Sequence, residues 1–304
     1  MDHRSIGSLR VSVVGLGCNN FGMRIDGVAT ERVVAAALDS GVNFFDTADI
    51  YGSTKSEEFL GRALAGRRDR AIIATKFGMA VDEQRKGARP DYVRRACDDS
   101  LKRLSTDYID LYQLHQPDPT VPIADTLGAL DELVKAGKVK EIGCSNFSAE
   151  QLDEATRSTA PGAARFVSLQ NEYSLLHREP EQSVLPACER LGLAFLPYFP
   201  LASGLLTGKY ERGKAAPENS RLSLSWTSRF TTERNVRIAE ALKAFAEARG
   251  RTLLELAISW LASRPQVASV IAGATTPEQV RANAATATWA LTKDEMKEID
   301  QLTG

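Results

Sequence analysis

A chain of 304 residues, 43% hydrophobic and 25% charged, has the makeup of a soluble globular protein with room for one large domain. Its net charge of −1 provides neither a basic field for nucleic acid nor a polybasic patch for a membrane. Four scattered cysteines, Cys18, Cys97, Cys144 and Cys188, form no C-x-x-C pair, which argues against a structural zinc site and suits a reducing cytosol. The first five residues lack an apolar signal region, and no window approaches the roughly 18 apolar residues of a membrane span, so a cytoplasmic protein is expected.

In chain order, residues 11–17 open as a β-type run. Gly15 and Gly17 suggest a dinucleotide fingerprint, but position 20 is Asn20 and no helix follows directly, so a Rossmann reading is set aside. Thr30 is placed to cap a helix over 31–40, with Gly41 at its end. Asn43-Phe44-Phe45 reads as a buried strand, followed by a turn that carries Asp46, Asp49 and Tyr51 and ends at Gly52. A helix over 56–65 precedes the strand 71–75, which stops on Lys76; a helix over 91–104 precedes the strand 108–114, which stops on His115.

The alternation continues with helix 123–136, strand 139–143, helix 149–157, strand 166–170, helix 181–190 and strand 194–196. Residues 201–231 break it, being long, polar and rich in Gly, Ser and Arg. Helices over 232–248 and 253–263, a strand over 269–272, and helices over 277–285 and 293–302 complete the chain. The order predicts a (β/α)8 barrel with long loops and extra C-terminal helices, one domain over 1–304.

Three strand ends then converge in space and bring Asp46 and Tyr51, Lys76, and His115 together. A phenol has a pKa of about 10, and an ammonium within about 4–6 Å lowers it by roughly 1 to 3 units. Lys76 is the candidate ammonium, Asp46 its counter-charge, Tyr51 the general acid, and His115 the group that hydrogen-bonds a substrate oxygen or passes a proton. Asp46 as a helix cap and His115 as a satisfied core histidine are the bland alternatives, and Asp49 reads as a turn or surface residue.

The stretches 45–52, Thr75-Lys76, 114–119, 143–147, 169–173, 197–201 and 273–279 occur in one order, and together they resemble the aldo-keto reductases. The resemblance implies reduction of aldehydes or ketones with NADPH, NADH also being admitted, by a monomer acting on small molecules. It implies that Cys18, Asn19 and Asp46 lie near the nicotinamide, that Ser145, Asn146 and Gln170 hold its carboxamide, and that Tyr198 stacks on its ring. Phe199 departs from the commoner small polar residue. Pro200, Leu201, Ser203, Lys209 and Arg221 fall on a loop that wraps the pyrophosphate, and Gly273 precedes a helix N-terminus suited to a phosphate. Thr275 stands where many relatives place the arginine that grips the 2′-phosphate, and Gln279 and Asn283 share a helix face toward phosphate and adenine. Phe21, Met23 and Trp226 are expected in the substrate wall.

The resemblance extends to potassium-channel β subunits, which have asparagine at the place of His115, so a slow-turnover nicotinamide-binding regulator or redox sensor stays open beside the enzyme. A metal- or phosphate-dependent barrel lyase is the other alternative, for which the sequence offers no cluster of metal ligands. Tyr51 and Lys55 also spell the Y-x-x-x-K of short-chain dehydrogenases, but Gly52 between them weakens a helix. Separate Lys76→Met and Lys55→Met variants decide between the two lysines. Carbonyl reduction should fall roughly 100-fold or more in the first and stay near the parent rate in the second.

Overall fold

Short apolar strands alternate with amphipathic helices because each strand must be covered on its outer face, and parallel neighbours need a crossover helix between them. The computed structural model describes residues 1–210, 221–223 and 225–304, with the backbone alone at Ser225 and Trp226. A hairpin of β1 (His3–Ile6) and β2 (Leu9–Ser12) comes first, turned by Gly7 at φ +54. Eight parallel strands follow: β3 (Val14–Gly17), β4 (Phe44–Asp46), β5 (Ile72–Phe77), β6 (Ile109–Leu114), β7 (Val139–Ser145), β8 (Phe166–Glu172), β9 (Ala194–Tyr198) and β10 (Val270–Gly273). Their order around the sheet is β10-β3-β4-β5-β6-β7-β8-β9.

The ring closes between β9 and β10 with less than a full ladder. Phe195 donates its N–H to the carbonyl of Gln266 (2.7 Å) and accepts from the N–H of Ala268 (3.0 Å). The expected (β/α)8 architecture is thus present, with α1 (Gly27–Asp39), α2 (Lys55–Ala63), α3 (Pro90–Leu104), α4 (Ile123–Lys135), α5 (Ala149–Ser158) and α6 (Val184–Leu191) each packed between consecutive strands. Between β9 and β10 lie α7 (Glu233–Glu247) and α8 (Leu253–Ala262), and α9 (Pro277–Ala284) and α10 (Lys293–Thr303) end the chain.

Three local expectations are corrected. The run 11–17 is two strands broken at Val13, because its first half pairs backward with β1 in place of joining the barrel. The cap of α1 is Asp26, whose carboxylate accepts the Ala29 N–H at 2.8 Å; Thr30 lies inside the helix, its hydroxyl donating to the Asp26 carbonyl at 2.7 Å. Residues 179–181 form a 3-10 turn around Pro180, so the helix expected from 181 starts at Val184.

The two-residue period of a strand sets what lies inside the ring. Phe44, Ala74, Leu111 and Leu196 pack with Ile271 and Ala268 in the lower interior, and Ile6, Leu9 and Val11 of the hairpin close the floor beneath them. One period higher on β4, β5, β6 and β8 stand Asp46, Lys76, Gln113 and Gln170, all buried. The lower layer is apolar and the upper one charged, and chemistry therefore sits at the strands' carboxyl end.

Gly52 holds the turn after β4. Its φ is +59, and a Cβ there would lie 2.4 Å from the Phe21 carbonyl oxygen. Gly52→Ala should lower stability by roughly 1–3 kcal/mol, read as a reduced urea midpoint at unchanged m-value.

Candidate active site

At the top of the barrel Lys76 reaches from β5 to three oxygens. Its Nζ donates to Asp46 Oδ2 at 2.7 Å, to the Thr47 carbonyl at 2.9 Å and to the Tyr51 hydroxyl at 3.5 Å. The lysine side chain is 0% exposed and that of Asp46 is 5%. Such a pair persists only if its remaining lone pairs are satisfied. Asp46 Oδ1 accepts from Gln170 Nε2 at 2.8 Å and from Gln113 Nε2 at 3.4 Å. Gln113 was not singled out from the sequence, although a glutamine two residues before His115, hence on the same face of that strand, is the signal that finds it.

Burial by itself would pull the Lys76 pKa down; Asp46 and then Tyr51 outweigh it, and the net direction is up, so Lys76 is an ammonium. For Tyr51 the largest influence is burial, which raises the phenol above its usual value against the opposing field of Lys76. The expected acidifying ammonium is in place, yet the expected net direction is reversed: desolvation wins, and Tyr51 holds its proton at neutral pH. Burial and then Lys76 push His115 down to about 3, making it a neutral imidazole. Its ring meets that of Tyr51 edge-on, with centroids 5.9 Å apart. Of the two expected roles, a neutral imidazole suits the hydrogen bond to oxygen. Asp49 is buried, contrary to the surface position expected for it. Lys55 is exposed at the start of α2, away from this network.

Above these groups opens a cavity of about 660 Å³. Asn19, Asp46, Ser145, Asn146, Gln170 and Tyr198 line it from the strand ends. Phe199, Pro200, Leu201, Ser203, Lys209 and Arg221 line it from the long loop, and Gly273, Thr275, Gln279 and Asn283 from the last βα unit. Cys18 does not reach it: the thiol is buried and donates to the Leu16 carbonyl at 3.6 Å. Phe21 is wholly buried and Met23 is 52% exposed, and neither lines this cavity. The Trp226 side chain lies outside the described residues. Arg24, Met79 and Tyr210 do line the cavity, and no sequence pattern marks them.

Several of these side chains are already oriented. The Ser145 hydroxyl donates to the Gln170 carbonyl (2.6 Å), Asn146 Nδ2 to the His115 carbonyl (2.9 Å), and the Tyr198 hydroxyl to Asn146 Oδ1 (2.9 Å). Gln279 Oε1 accepts both the N–H of Thr275 at 2.8 Å and its hydroxyl at 3.1 Å, which ties the turn that enters α9. Phe199, at φ +50, packs edge-on against Tyr198 and Phe230, at 5.3 and 5.4 Å. Arg229 covers Phe230 and pairs with Glu172 at 2.9 Å, so the aromatic at 199 anchors the end of the loop.

The donor set fits a nicotinamide dinucleotide. Asn19 Oδ1 and Ser203 Oγ are buried at the cavity without a hydrogen-bond partner, and Arg24, Lys209 and Arg221 place cations along it. Among the described residues no group of three or more His, Cys, Asp or Glu could hold a metal, and no helix is long and apolar enough to cross a membrane.

A (β/α)8 barrel with phenol, ammonium, carboxylate and imidazole gathered at the carboxyl ends of β4, β5 and β6 defines a class of barrel oxidoreductase. The model of the aldo/keto reductase family matches residues 13–303, and the chain belongs to that family. It is 35% identical over 314 residues to the aldo-keto reductase YhdN of Bacillus subtilis, covering 99% of this chain and 93% of that protein. A probable voltage-gated potassium channel subunit β of Arabidopsis thaliana is also 35% identical, over 93% of this chain and 90% of its own length. The solved glycerol dehydrogenase AKR11B4 of Gluconobacter oxydans superposes with a TM-score of 0.86 at 33% identity, covering 99% of this chain and 94% of that one.

None of the four cysteines lines the cavity. All are buried, and burial raises every thiol, Cys97 and Cys188 to about 12 and the other two well above the usual value. Thiolate is the reactive form. An aromatic disulfide reagent should therefore find no fast-reacting thiol in the native protein at pH 7.5 and all four after denaturation.

Proposed function

We propose that this protein is a monomeric cytoplasmic reductase that converts small aldehydes or ketones to alcohols with NADPH, NADH also being accepted. The observation that supports it most directly is the Tyr51 hydroxyl held 3.5 Å from the Lys76 ammonium beside the neutral His115, at the floor of the cavity. Ser145, Asn146 and Gln170 would hold the carboxamide, Tyr198 would stack on the ring, and Asn19, Ser203, Lys209 and Arg221 would meet ribose and phosphates. Thr275, with Gln279 and Asn283, would receive the adenosine end, the Thr275 hydroxyl and Arg221 answering a 2′-phosphate in place of the arginine found in many relatives. When bound, the reduced nicotinamide supplies a hydride to the carbonyl carbon.

The protein's own contribution is to the oxygen. His115 donates a hydrogen bond that orients the carbonyl, and Tyr51 gives its proton as negative charge develops there. Lys76 stabilises the phenolate that remains, and Asp46, fixed by Gln170 and Gln113, keeps Lys76 charged through the step. Solvent then returns one proton to Tyr51, so each turnover consumes a carbonyl, a hydride and a proton. Because these donors stand in place before the substrate arrives, little reorganisation is left for the transition state.

Tyr51→Phe should reduce kcat for a small aldehyde such as nitrobenzaldehyde roughly 10²- to 10⁴-fold, while NADPH binding, followed by fluorescence, stays within a few-fold of the parent. A parent protein that consumes one equivalent of NADPH and then stops would move the reading to the slow regulatory class. Equal rates for parent and Tyr51→Phe would remove the tyrosine from the mechanism.

A further inference from the structure

We propose that Asp49 is a positioning residue for Tyr51: a buried carboxyl that gains and loses a proton behind the Lys76 ammonium and thereby sets the pH range over which the phenol keeps its own proton. This rests on the carbonyl-reduction reading above and goes beyond it.

Asp49 is 2% exposed, and no side chain donates a hydrogen bond to either of its carboxyl oxygens. A buried carboxylate in that condition is costly, whereas the protonated acid is much less so. The residue is fastened to the catalytic strand, since its N–H donates to the Lys76 carbonyl at 3.0 Å, and two residues on, the Tyr51 N–H bonds the Ala48 carbonyl at 3.2 Å.

Each element packed around Asp49 brings a charged or titratable group. From α2 comes Glu57, fully buried, whose two oxygens accept from the Thr75 hydroxyl at 2.6 Å and from Arg103 Nε at 2.6 Å. From α3 come Arg103, which also donates to Ser100, together with Tyr92; β6 contributes Tyr112 and β5 Lys76. Lys76 is already matched by Asp46, and the Nε of Arg103 is already on Glu57. A neutral Asp49 therefore leaves two balanced pairs, and an ionised one adds an uncompensated negative charge. Burial first, then Glu57, raise this carboxyl to about 7, with Arg103, the Ile50 N–H and lastly Lys76 opposing.

The sign of the coupling follows. Ionised Asp49 adds a negative potential that opposes the positive potential of the Lys76 ammonium at the phenol, and Tyr51 holds its proton to higher pH. Neutral Asp49 leaves the ammonium acting on Tyr51 in full. A carboxyl that ionises as the solution becomes basic thus protects the general acid when protons become scarce.

The test is Asp49→Asn, which keeps shape and removes the titration. For the parent, kcat for NADPH-dependent aldehyde reduction should show a step near pH 7 besides the alkaline fall. In Asp49→Asn the step should vanish and the alkaline fall move to lower pH by roughly 1 unit, with the aldehyde KM little changed. Infrared difference spectra, parent minus variant, should carry the carbonyl band of a protonated buried carboxyl at pH 5 and lose it by pH 9, a readout that needs no turnover. A raised folded-state pKa also gives stability that is fully present below the unfolded value of 3.8 and is lost by about pH 7, so the variant's thermal midpoint should gain on the parent's between about pH 4 and 7 and hold a constant lead above that. Should Asp49→Asn fail to fold, Glu57→Gln frees Arg103 for Asp49 and should move the step and the band to lower pH. Superimposable pH profiles for parent and Asp49→Asn, or no titrating band, overturn the proposal. A titrating band in a protein that reduces no carbonyl upholds the buried acid and defeats the reductase reading.

Discussion

The ion pair between Lys76 and Asp46 is the interaction on which the rest of the site depends. Two charges removed from water lose several kcal/mol of solvation each, and their attraction repays this only when geometry is close and every remaining lone pair is answered. Here the bond is 2.7 Å, and the Thr47 carbonyl, Gln170 and Gln113 supply the rest. Those partners come from the turn after β4 and from β6 and β8, so the requirement to satisfy one buried pair draws several strands of the barrel into fixed register. Tyr51 and His115 take their states from it as well: the ammonium moderates how far burial raises the phenol and helps keep the imidazole neutral.

Below this layer the barrel is made dry and full. Phe44, Ala74, Leu111 and Leu196 fill the lower interior, and the hairpin's Ile6, Leu9 and Val11 seal it from solvent. The charged layer therefore has water on one side only, which is where the cavity and its donors lie. A low-dielectric floor beneath an ion pair strengthens each of its electrostatic effects, and it makes an unanswered charge such as that of Asp49 correspondingly expensive.

Much of this was legible because strands carry a two-residue period and barrels present chemistry at one end. Asp46, Lys76 and His115 each end an apolar run, and that placement alone brought them together. The order of motifs from Phe45 to Gln279 carried the fold and the family. What was not legible depended on long-range competition for partners. The run through Val11 and Val14 has uniform β character, and only the return of residues 3–6 shows where it splits. Thr30 and Asp26 are both good caps, and the one whose carboxylate reaches Ala29 wins. The direction of the Tyr51 shift rests on a balance between burial and a neighbouring charge that spacing does not encode. Asp49 looked like a turn residue because nothing in its own segment reveals that α2 and α3 pack over it.

The ring of strands is stitched unevenly. Most neighbours share a ladder, whereas among the described residues β9 meets the segment leading into β10 through the two backbone bonds of Phe195, and the longest crossover in the barrel spans that same gap. Counted around the ring, the seam lies diametrically opposite the junction of β5 and β6, from whose ends Lys76 and His115 project. Breathing is cheapest where backbone bonds are fewest. Backbone bonding is thus sparse on the side of that crossover and runs as a full ladder on the side that carries the ammonium and imidazole.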